Sequence, residues 1–220
     1  APFALLVALR GALLVSAACN TPAKPDTTAL AARVDSLANA AFATRLALNP
    51  EFGTDAGLAN AEHGRLSDRS APALLKAENS WDALSKAALA IDPAPLVGRP
   101  QWVTYGVLRE ELEARMAMRT CREELWAVAS YVNGWQAIYT DLALIQPVGT
   151  DTLRALALVR ARTLPGFIAN EIANLREGLS QRYSSPRVIV QNVIRQLDGI
   201  LATPVARSPF YSPAQRDSTP

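Results

Sequence analysis

The sequence predicts an all-α fold, a layered and extended domain of several helices with no substantial sheet. Apolar residues recur at helical spacing through most of the chain after residue 28. No stretch of useful length alternates apolar and polar residues, as a half-buried strand would. Clusters of proline and glycine separate several of the periodic segments. With 220 residues, 50% of them hydrophobic, the chain can bury a sizeable core without disulfides or metals.

The N-terminal segment has the features of an export signal. Residues 1–18 are apolar except for Arg10, and the run is too short and too interrupted for a stable membrane span. Small residues precede Cys19, an arrangement that resembles the bacterial lipobox. We therefore predict that residues 1–18 are a signal peptide, that the Cys19 thiol is lipidated, and that residues 19–27 form the tether of a membrane anchor. The alternative is an ordinary signal peptide cut nearby, which leaves a plain thiol.

The first two helices are predicted from apolar spacing and from the residues that flank them. Apolar residues keep the helical rhythm over residues 28–48, and Pro50 ends that helix. Residues 51–69 contain several glycines and are predicted to form a loop. A second helix is predicted to follow Ser70, its N-cap, and to continue until the proline-containing segment at residues 92–95 ends it.

The third helix, predicted from about Gln101 to Ser130, carries apolar residues on two opposite sides. The first stripe consists of Tyr105, Leu108, Leu112 and Met116, and the second of Val107, Ala114, Met118, Cys121 and Leu125. Two stripes predict two packing partners, and therefore layers of helices on both sides of this one. Within the second stripe Cys121 is predicted to be a small buried side chain rather than a nucleophile.

The remaining helices follow a segment that ends at Ile145. Thr150 or Asp151 is predicted to cap a helix that runs to about residue 181, and Pro165 is predicted to kink it or divide it in two. Ser185 is the predicted N-cap of a final amphipathic helix.

The predicted organisation is a helical domain over residues 28–213, followed by a truncated tail over residues 214–220. The chain opens with Ala1 rather than methionine and stops inside a polar stretch. We therefore expect a fragment, with the helical domain forming the N-terminal part of a larger one.

Composition and motifs argue against several functions. The 22 basic and 20 acidic residues nearly balance and no basic run occurs, so a nucleic-acid partner is not expected. His63 is the single histidine, so no pair of imidazoles can hold zinc, and this loop residue is expected to be exposed and inert. No cofactor-binding, metal-binding or catalytic residue is predicted in this chain. The four tryptophans, Trp81, Trp102, Trp126 and Trp135, are expected in the core rather than in a ligand cage.

Several motifs, taken in order, have the spacing of one bacterial family. The more general ones are LALNP at 46–50, GRLSD at 64–68, YGVLREELE at 105–113, ELW at 124–126 and GWQ at 134–136. The more specific ones are NLREGL at 174–179, SPRVIV at 185–190, QLD at 196–198 and SPFYSP at 208–213. Through this ordered set, the chain resembles the N-terminal half of the domain-of-unknown-function 885 family, DUF885.

The resemblance implies an exported, largely helical protein, often a lipoprotein, of a zinc-metallopeptidase-like superfamily. In such proteins a His-Glu-x-x-His helix supplies two zinc ligands and a general base. That helix would lie beyond Pro220, so zinc is expected only in the missing C-terminal part. No catalytic residue of the family can be carried onto this chain.

The function expected from the resemblance is that of a non-catalytic N-terminal portion of an exported zinc-dependent peptidase. Its helices would wall one side of a peptide cleft, and the chain alone would be inactive. Its expected partners are the C-terminal half of the same protein, peptides, and the membrane through a lipid anchor facing the periplasm. The alternative is a self-sufficient helical envelope lipoprotein that acts as a binding or scaffold module.

The anchoring hypothesis predicts acyl chains on Cys19 when the protein is expressed with a complete signal in a bacterial host. The protein should then partition into membranes, and intact-mass analysis should show the lipid increment. The Cys19→Ser variant should lack both properties. A lipid increment that persists in this variant would refute the hypothesis.

Overall fold

The computed structural model describes residues 26–130 and 134–217, so the predicted signal peptide and Cys19 lie outside the described residues. The described residues contain eight α-helices connected by loops and 3-10 turns, without a strand, which confirms the all-α prediction. The helices are α1 Thr27–Leu48, α2 Pro50–Asp55, α3 Ala71–Leu89, α4 Pro100–Met118, α5 Trp135–Ile145, α6 Asp151–Ser180, α7 Arg187–Ala202 and α8 Ser212–Arg216. Within these bounds, no helix is long and apolar enough to span a membrane.

Helices α1, α3 and α4 pack together as a three-helix unit. Its buried apolar residues are Ala31, Val34, Ala41, Trp81, Ala88, Ile91, Leu96, Tyr105, Leu108 and Leu112. Asp26 is the N-cap of α1: its carboxylate accepts hydrogen bonds from the backbone N–H groups of Thr28 and Ala29. The Tyr105 hydroxyl donates to the Ala88 carbonyl over 3.3 Å, so its polar group is satisfied inside the core.

A second core lies between α5 and α6. Tyr139 and Leu142 of α5 pack against Phe167 of α6, and the Tyr139 and Phe167 rings meet edge to face at 4.8 Å between centroids. The C-terminal segment packs over this core: the Arg216 guanidinium donates to the Gln146 carbonyl over 2.9 Å. Residues 214–216 thus complete α8 within the predicted tail.

Helix α6 joins the two units through one face. Its buried residues are Arg160, Phe167, Asn174 and Gly178, which recur on one stripe at the helical period. At Gly178 the helix lies directly against the carbonyl of Leu125, in the chain that follows α4. An added Cβ would lie far closer to that carbonyl oxygen than van der Waals contact allows. The glycine is therefore required by close packing between two backbones.

The predicted third helix is wrong in its second half. Helix α4 ends at Met118 rather than Ser130, and 3-10 turns follow at Arg119–Cys121 and Glu123–Leu125. Arg122, between the turns, has a φ of 48°, the left-handed conformation that stops a helix and redirects the chain. The redirected chain carries Leu125 to its contact with α6.

The prediction that partners pack on two opposite sides of this helix is wrong as well, because its two partners, α1 and α3, both pack against the first stripe. The first stripe is packed, since Tyr105, Leu108 and Leu112 are buried. On the second stripe Val107 is 62% exposed and Met118 51% exposed. Within the described residues the second side of α4 is therefore an exposed apolar face.

Three smaller predictions also need correction. The predicted loop over residues 51–69 contains most of α2, which begins at Pro50. Helix α6 continues through Pro165, so the prediction of two separate helices there is wrong; Arg160 and Phe167 anchor it on both sides. The N-cap position of α7 is Pro186, not Ser185. The Ser185 hydroxyl instead donates to the Trp126 carbonyl and accepts the Val128 N–H over 3.2 Å.

Replacing Gly178 with alanine should destabilise the protein, because the new methyl group must push α6 away from Leu125. Overpacking of this kind costs about 1–3 kcal/mol. The matched control is Gly166→Ala in the same helix, where an added Cβ meets nothing within 4 Å. That change should raise the unfolding free energy by about 0.5–1 kcal/mol. Urea unfolding of both variants measures the difference, and equal effects would contradict the close contact.

Candidate functional site

His63, predicted to be exposed and inert, instead takes part in a largely buried hydrogen-bond network. Its Nδ1 atom lies 3.0 Å from the hydroxyl oxygen of Thr54, which belongs to α2 and is 5% exposed. The backbone carbonyl of His63 accepts a hydrogen bond from the side-chain amide of Gln146 over 3.2 Å. The half-buried histidine therefore joins the loop after α2 to the end of α5.

The centre of this network is Arg160 of α6, which is only 6% exposed. Its Nη1 donates to the Gln146 side-chain oxygen over 2.7 Å, and its Nη2 donates to the Thr54 hydroxyl over 3.0 Å. Nη2 also donates to the Glu62 carbonyl over 2.9 Å, and Nε to the Arg65 carbonyl over 3.0 Å. One guanidinium thus fastens α2, the following loop and α5 to α6.

Burial of this guanidinium disfavours its charge. Desolvation lowers the pKa of Arg160 to about 10, although the nearby Glu51 carboxylate acts in the opposite direction and raises it. Arg160 therefore remains a cation at neutral pH. All four of its acceptors are neutral oxygens.

The same network explains the protonation state of His63. Burial, and secondarily the charge of Arg160, lowers the pKa of His63 below its usual value. The Thr54 hydroxyl accepts from Arg160, so its own hydrogen is available for His63 Nδ1. This arrangement suits a neutral imidazole with its proton on Nε2.

Glu51 of α2 forms a smaller polar group beside the network. Its carboxylate accepts the Ser67 hydroxyl over 2.5 Å, the Ser67 N–H over 3.0 Å and the Tyr139 hydroxyl over 3.4 Å. Burial and the Glu51 charge raise the pKa of Tyr139 above its ordinary value, so this phenol stays protonated. Glu51 is therefore occupied in holding the loop after α2 against α5.

These residues do not fit a zinc site. No three histidine, cysteine, aspartate or glutamate side chains come together as a metal-binding group between residues 26 and 130 or 134 and 217. The Nδ1 atom of His63 faces the Thr54 hydroxyl, and Cys121 lies half-buried in the turn after α4 rather than in the core as predicted. A catalytic zinc normally needs three protein ligands, and the described residues do not supply them.

A large cleft of about 780 Å³ lies between α3, the end of α4 and α6. Apolar side chains lining it include Leu74, Leu75 and Trp81 of α3, Met118 of α4 and Leu125. Its volume is in the range of ligand pockets. One side is formed by α6, where Asn174 donates to the Arg69 carbonyl over 2.9 Å.

The charges that line this cleft balance. It is lined by four arginines, Arg69, Arg115, Arg119 and Arg122, and by four glutamates, Glu78, Glu123, Glu124 and Glu177. Each arginine forms an ion pair, respectively with Glu171 at 2.8 Å, Glu111 at 2.8 Å, Asp82 at 2.7 Å and Glu124 at 2.6 Å. Such a surface presents positive and negative groups in equal number, so it has no net positive field that would attract a polyanion.

Trp81 is the tryptophan that contributes to the cleft. Its ring is 7% exposed and lies under the Arg115 guanidinium, 4.2 Å from the ring centroid. Trp126 and Trp135 are half-buried, whereas Trp102 is 44% exposed and does not belong to the core as predicted.

Arg160 was not predicted as a site residue, although the sequence carries one signal for it. Arg160 falls on the same helical stripe as Leu156, Leu164 and Phe167, so a charge interrupts a run of apolar residues on this face of α6. Thr54 and Gln146 carried no comparable signal, because Thr54 lies 106 positions from Arg160 and Gln146 lies in a different segment.

Comparison with known proteins gives one result. A family model described as "Bacterial protein of unknown function (DUF885)" matches residues 50–219. No curated protein and no solved structure matches the chain.

The lowered pKa of His63 predicts how stability depends on pH. In the unfolded chain histidine titrates near pH 6.5, whereas the folded protein holds it neutral to lower pH. The contribution of His63 is therefore complete above about pH 6.5 and declines as the pH falls towards the folded pKa. Urea unfolding at pH 7.5 and pH 5 gives the free energies of unfolding of wild type and His63→Gln. The two should differ more at pH 7.5 than at pH 5. A difference that grows on acidification would contradict the neutral, buried imidazole.

Proposed function

This chain belongs to the DUF885 family of bacterial proteins of unknown function, and on that premise we propose that it is the non-catalytic N-terminal portion of an exported zinc-dependent peptidase. In this proposal the cleft between α3, α4 and α6 is one wall of the peptide-binding site. A C-terminal portion of the same protein supplies the zinc site. The protein acts in the periplasm, anchored to the membrane through a lipid on Cys19.

The observation that supports a peptide ligand is the composition of the cleft. Peptides present amide groups, apolar side chains and charges of either sign. The cleft combines Leu74, Leu75 and Trp81 with equal numbers of arginine and glutamate side chains. Its arginines are held in place by ion pairs, so a ligand would meet an organised surface.

The exposed face of α4 supports a partner portion. Val103 is 66% exposed and Val107 62%, one helical turn apart, with Phe42 of α1 also exposed beside the groove that they line. Exposed apolar surfaces of this kind are typical of interfaces. In the alternative, a self-sufficient envelope lipoprotein, the same face would serve as a scaffold surface.

The peptide-cleft proposal predicts that short peptides of mixed charge shift the NMR signals of cleft residues in the purified chain. Leu75→Ala should weaken binding roughly fivefold to tenfold. The variant lacks the leucine side chain, whose burial by the peptide contributes about 1 kcal/mol to the binding free energy. The matched control is Leu89→Ala, which changes an exposed leucine of α3 that does not line the cleft.

Two results would contradict this role of the cleft. One is equal weakening by Leu75→Ala and Leu89→Ala, and the other is a set of shifts confined to residues outside the cleft. Either would favour the lipoprotein module over the peptidase wall.

The proposal also predicts that the isolated chain is inactive. Because the described residues offer no set of three metal ligands, the purified 220-residue chain should neither retain stoichiometric zinc nor hydrolyse peptides in a chelator-sensitive way. Metal analysis after dialysis and a fluorogenic peptide assay measure these properties. Stoichiometric zinc together with chelator-sensitive hydrolysis would refute the division of labour proposed here.

A further inference from the structure

A small cavity of about 210 Å³ lies beside the Arg160 network, and none of its lining residues lines the large cleft. Its walls are mostly apolar, with Leu66, Leu142, Leu164 and Phe210 among them. Three polar residues, Tyr139, Gln146 and Arg160, also line it. The cavity is thus an apolar space with one buried cation at its edge.

Arg160, at the edge of this cavity, is an unusual buried cation because no carboxylate of the described residues pairs with it. Buried arginines are normally paired with a carboxylate, because an unpaired buried charge is costly. Among the residues that the structure describes, none of the ion pairs involves Arg160. Its acceptors are the Thr54 hydroxyl, the Gln146 amide and two backbone carbonyls.

The guanidinium also retains donor capacity. A guanidinium has five N–H groups, and the four hydrogen bonds of Arg160 use one on Nε, one on Nη1 and two on Nη2. The second hydrogen of Nη1 has no acceptor among the described side chains and backbone. Nη1 is the nitrogen that binds Gln146, and Gln146 lines the cavity together with Arg160.

We propose that this cavity binds a small carboxylate with a short apolar body. The carboxylate accepts from Arg160 and supplies the negative charge that the protein does not place there. The apolar body packs against Leu142, Leu164 and Phe210. This site is separate from the peptide cleft, so it does not depend on the proposed peptidase role.

The size of the cavity limits the ligand. A cavity of about 150 Å³ lined by apolar side chains can hold benzene. A volume of about 210 Å³ therefore suits one ring or branched alkyl group together with a carboxylate. Such a group occurs in free aryl or branched-chain acids and in the C-terminal residue of a peptide.

Phenylacetate and 4-methylpentanoate are suitable probes, tested on the purified 220-residue chain by calorimetry and saturation-transfer NMR. The matched neutral ligand for the first is phenylacetamide, which has the same shape but lacks the charge. Because a charge-assisted hydrogen bond is about twice as strong as a neutral one, phenylacetamide should bind at least tenfold more weakly.

A second arm distinguishes the two sources of the carboxylate. It compares N-acetyl-alanyl-phenylalanine, which has a free C-terminal carboxylate, with the corresponding C-terminal amide. If the free peptide binds at least tenfold more tightly than its amide, the site accepts peptide C-termini. If the small acids bind and the peptide does not, the ligand is a free acid, and either result supports the site.

Variants should fill the cavity rather than remove Arg160, because Arg160 also holds the fold together. Ala157→Leu places a larger side chain on the cavity wall and should weaken phenylacetate binding at least tenfold. Ala155→Leu, on an exposed position of the same helix that does not line the cavity, is the matched control and should bind as wild type does. Circular dichroism and thermal unfolding confirm that both variants fold.

Three outcomes would overturn the proposal. The first is the absence of binding by both small acids and by the peptide at about 10 mM. The second is equal affinity for phenylacetate and phenylacetamide, and the third is unchanged phenylacetate binding by a folded Ala157→Leu variant.

Discussion

The hydrogen bonds of the Arg160 guanidinium are the interaction on which the rest of the structure depends. They join α6 to α2, to the loop that follows it and to α5, with partners up to 106 positions away in the chain. Removing the guanidinium would take one donor from each of its four acceptors, and of these the Gln146 side-chain oxygen and the Arg65 carbonyl would lose the donor that satisfies them. Each unsatisfied buried group costs about 1–3 kcal/mol, so the network acts as one unit rather than as four separate contacts.

The loop after α2 shows how this interaction shapes the cleft. At one end the Glu62 and Arg65 carbonyls accept from Arg160, and at the other the Arg69 carbonyl accepts from Asn174. The Arg69 guanidinium binds Glu171 as well. All of these α6 residues lie on one stripe, so a single rigid helix determines where the loop runs and where α3 begins.

The fold class and most helices could be predicted from the sequence, because apolar periodicity and capping residues, which determine them, are local features. Of the two predicted caps of α6, Thr150 and Asp151, the structure shows Thr150, whose hydroxyl accepts the Leu153 N–H over 3.2 Å. Helix α4 was predicted too long because its apolar spacing continues past Met118, whereas the chain turns at Arg122. Ser185 was predicted as a cap for a similar reason. Its local pattern suits one, but tertiary contacts with Trp126 and Val128 engage its hydroxyl instead.

The candidate sites were harder to predict, because they depend on contacts between distant segments. The sequence predicted the helix but not its buried stripe, and helical periodicity gives no reason for a cation within that stripe. The structure gives that reason: Arg160 donates to polar groups of three other segments and so joins them to α6. A wholly apolar residue at this position would pack against the core of α5 and α6 but would remove these four hydrogen bonds. These hydrogen bonds place a positive charge in a buried position, and a ligand in the adjoining cavity can balance that charge.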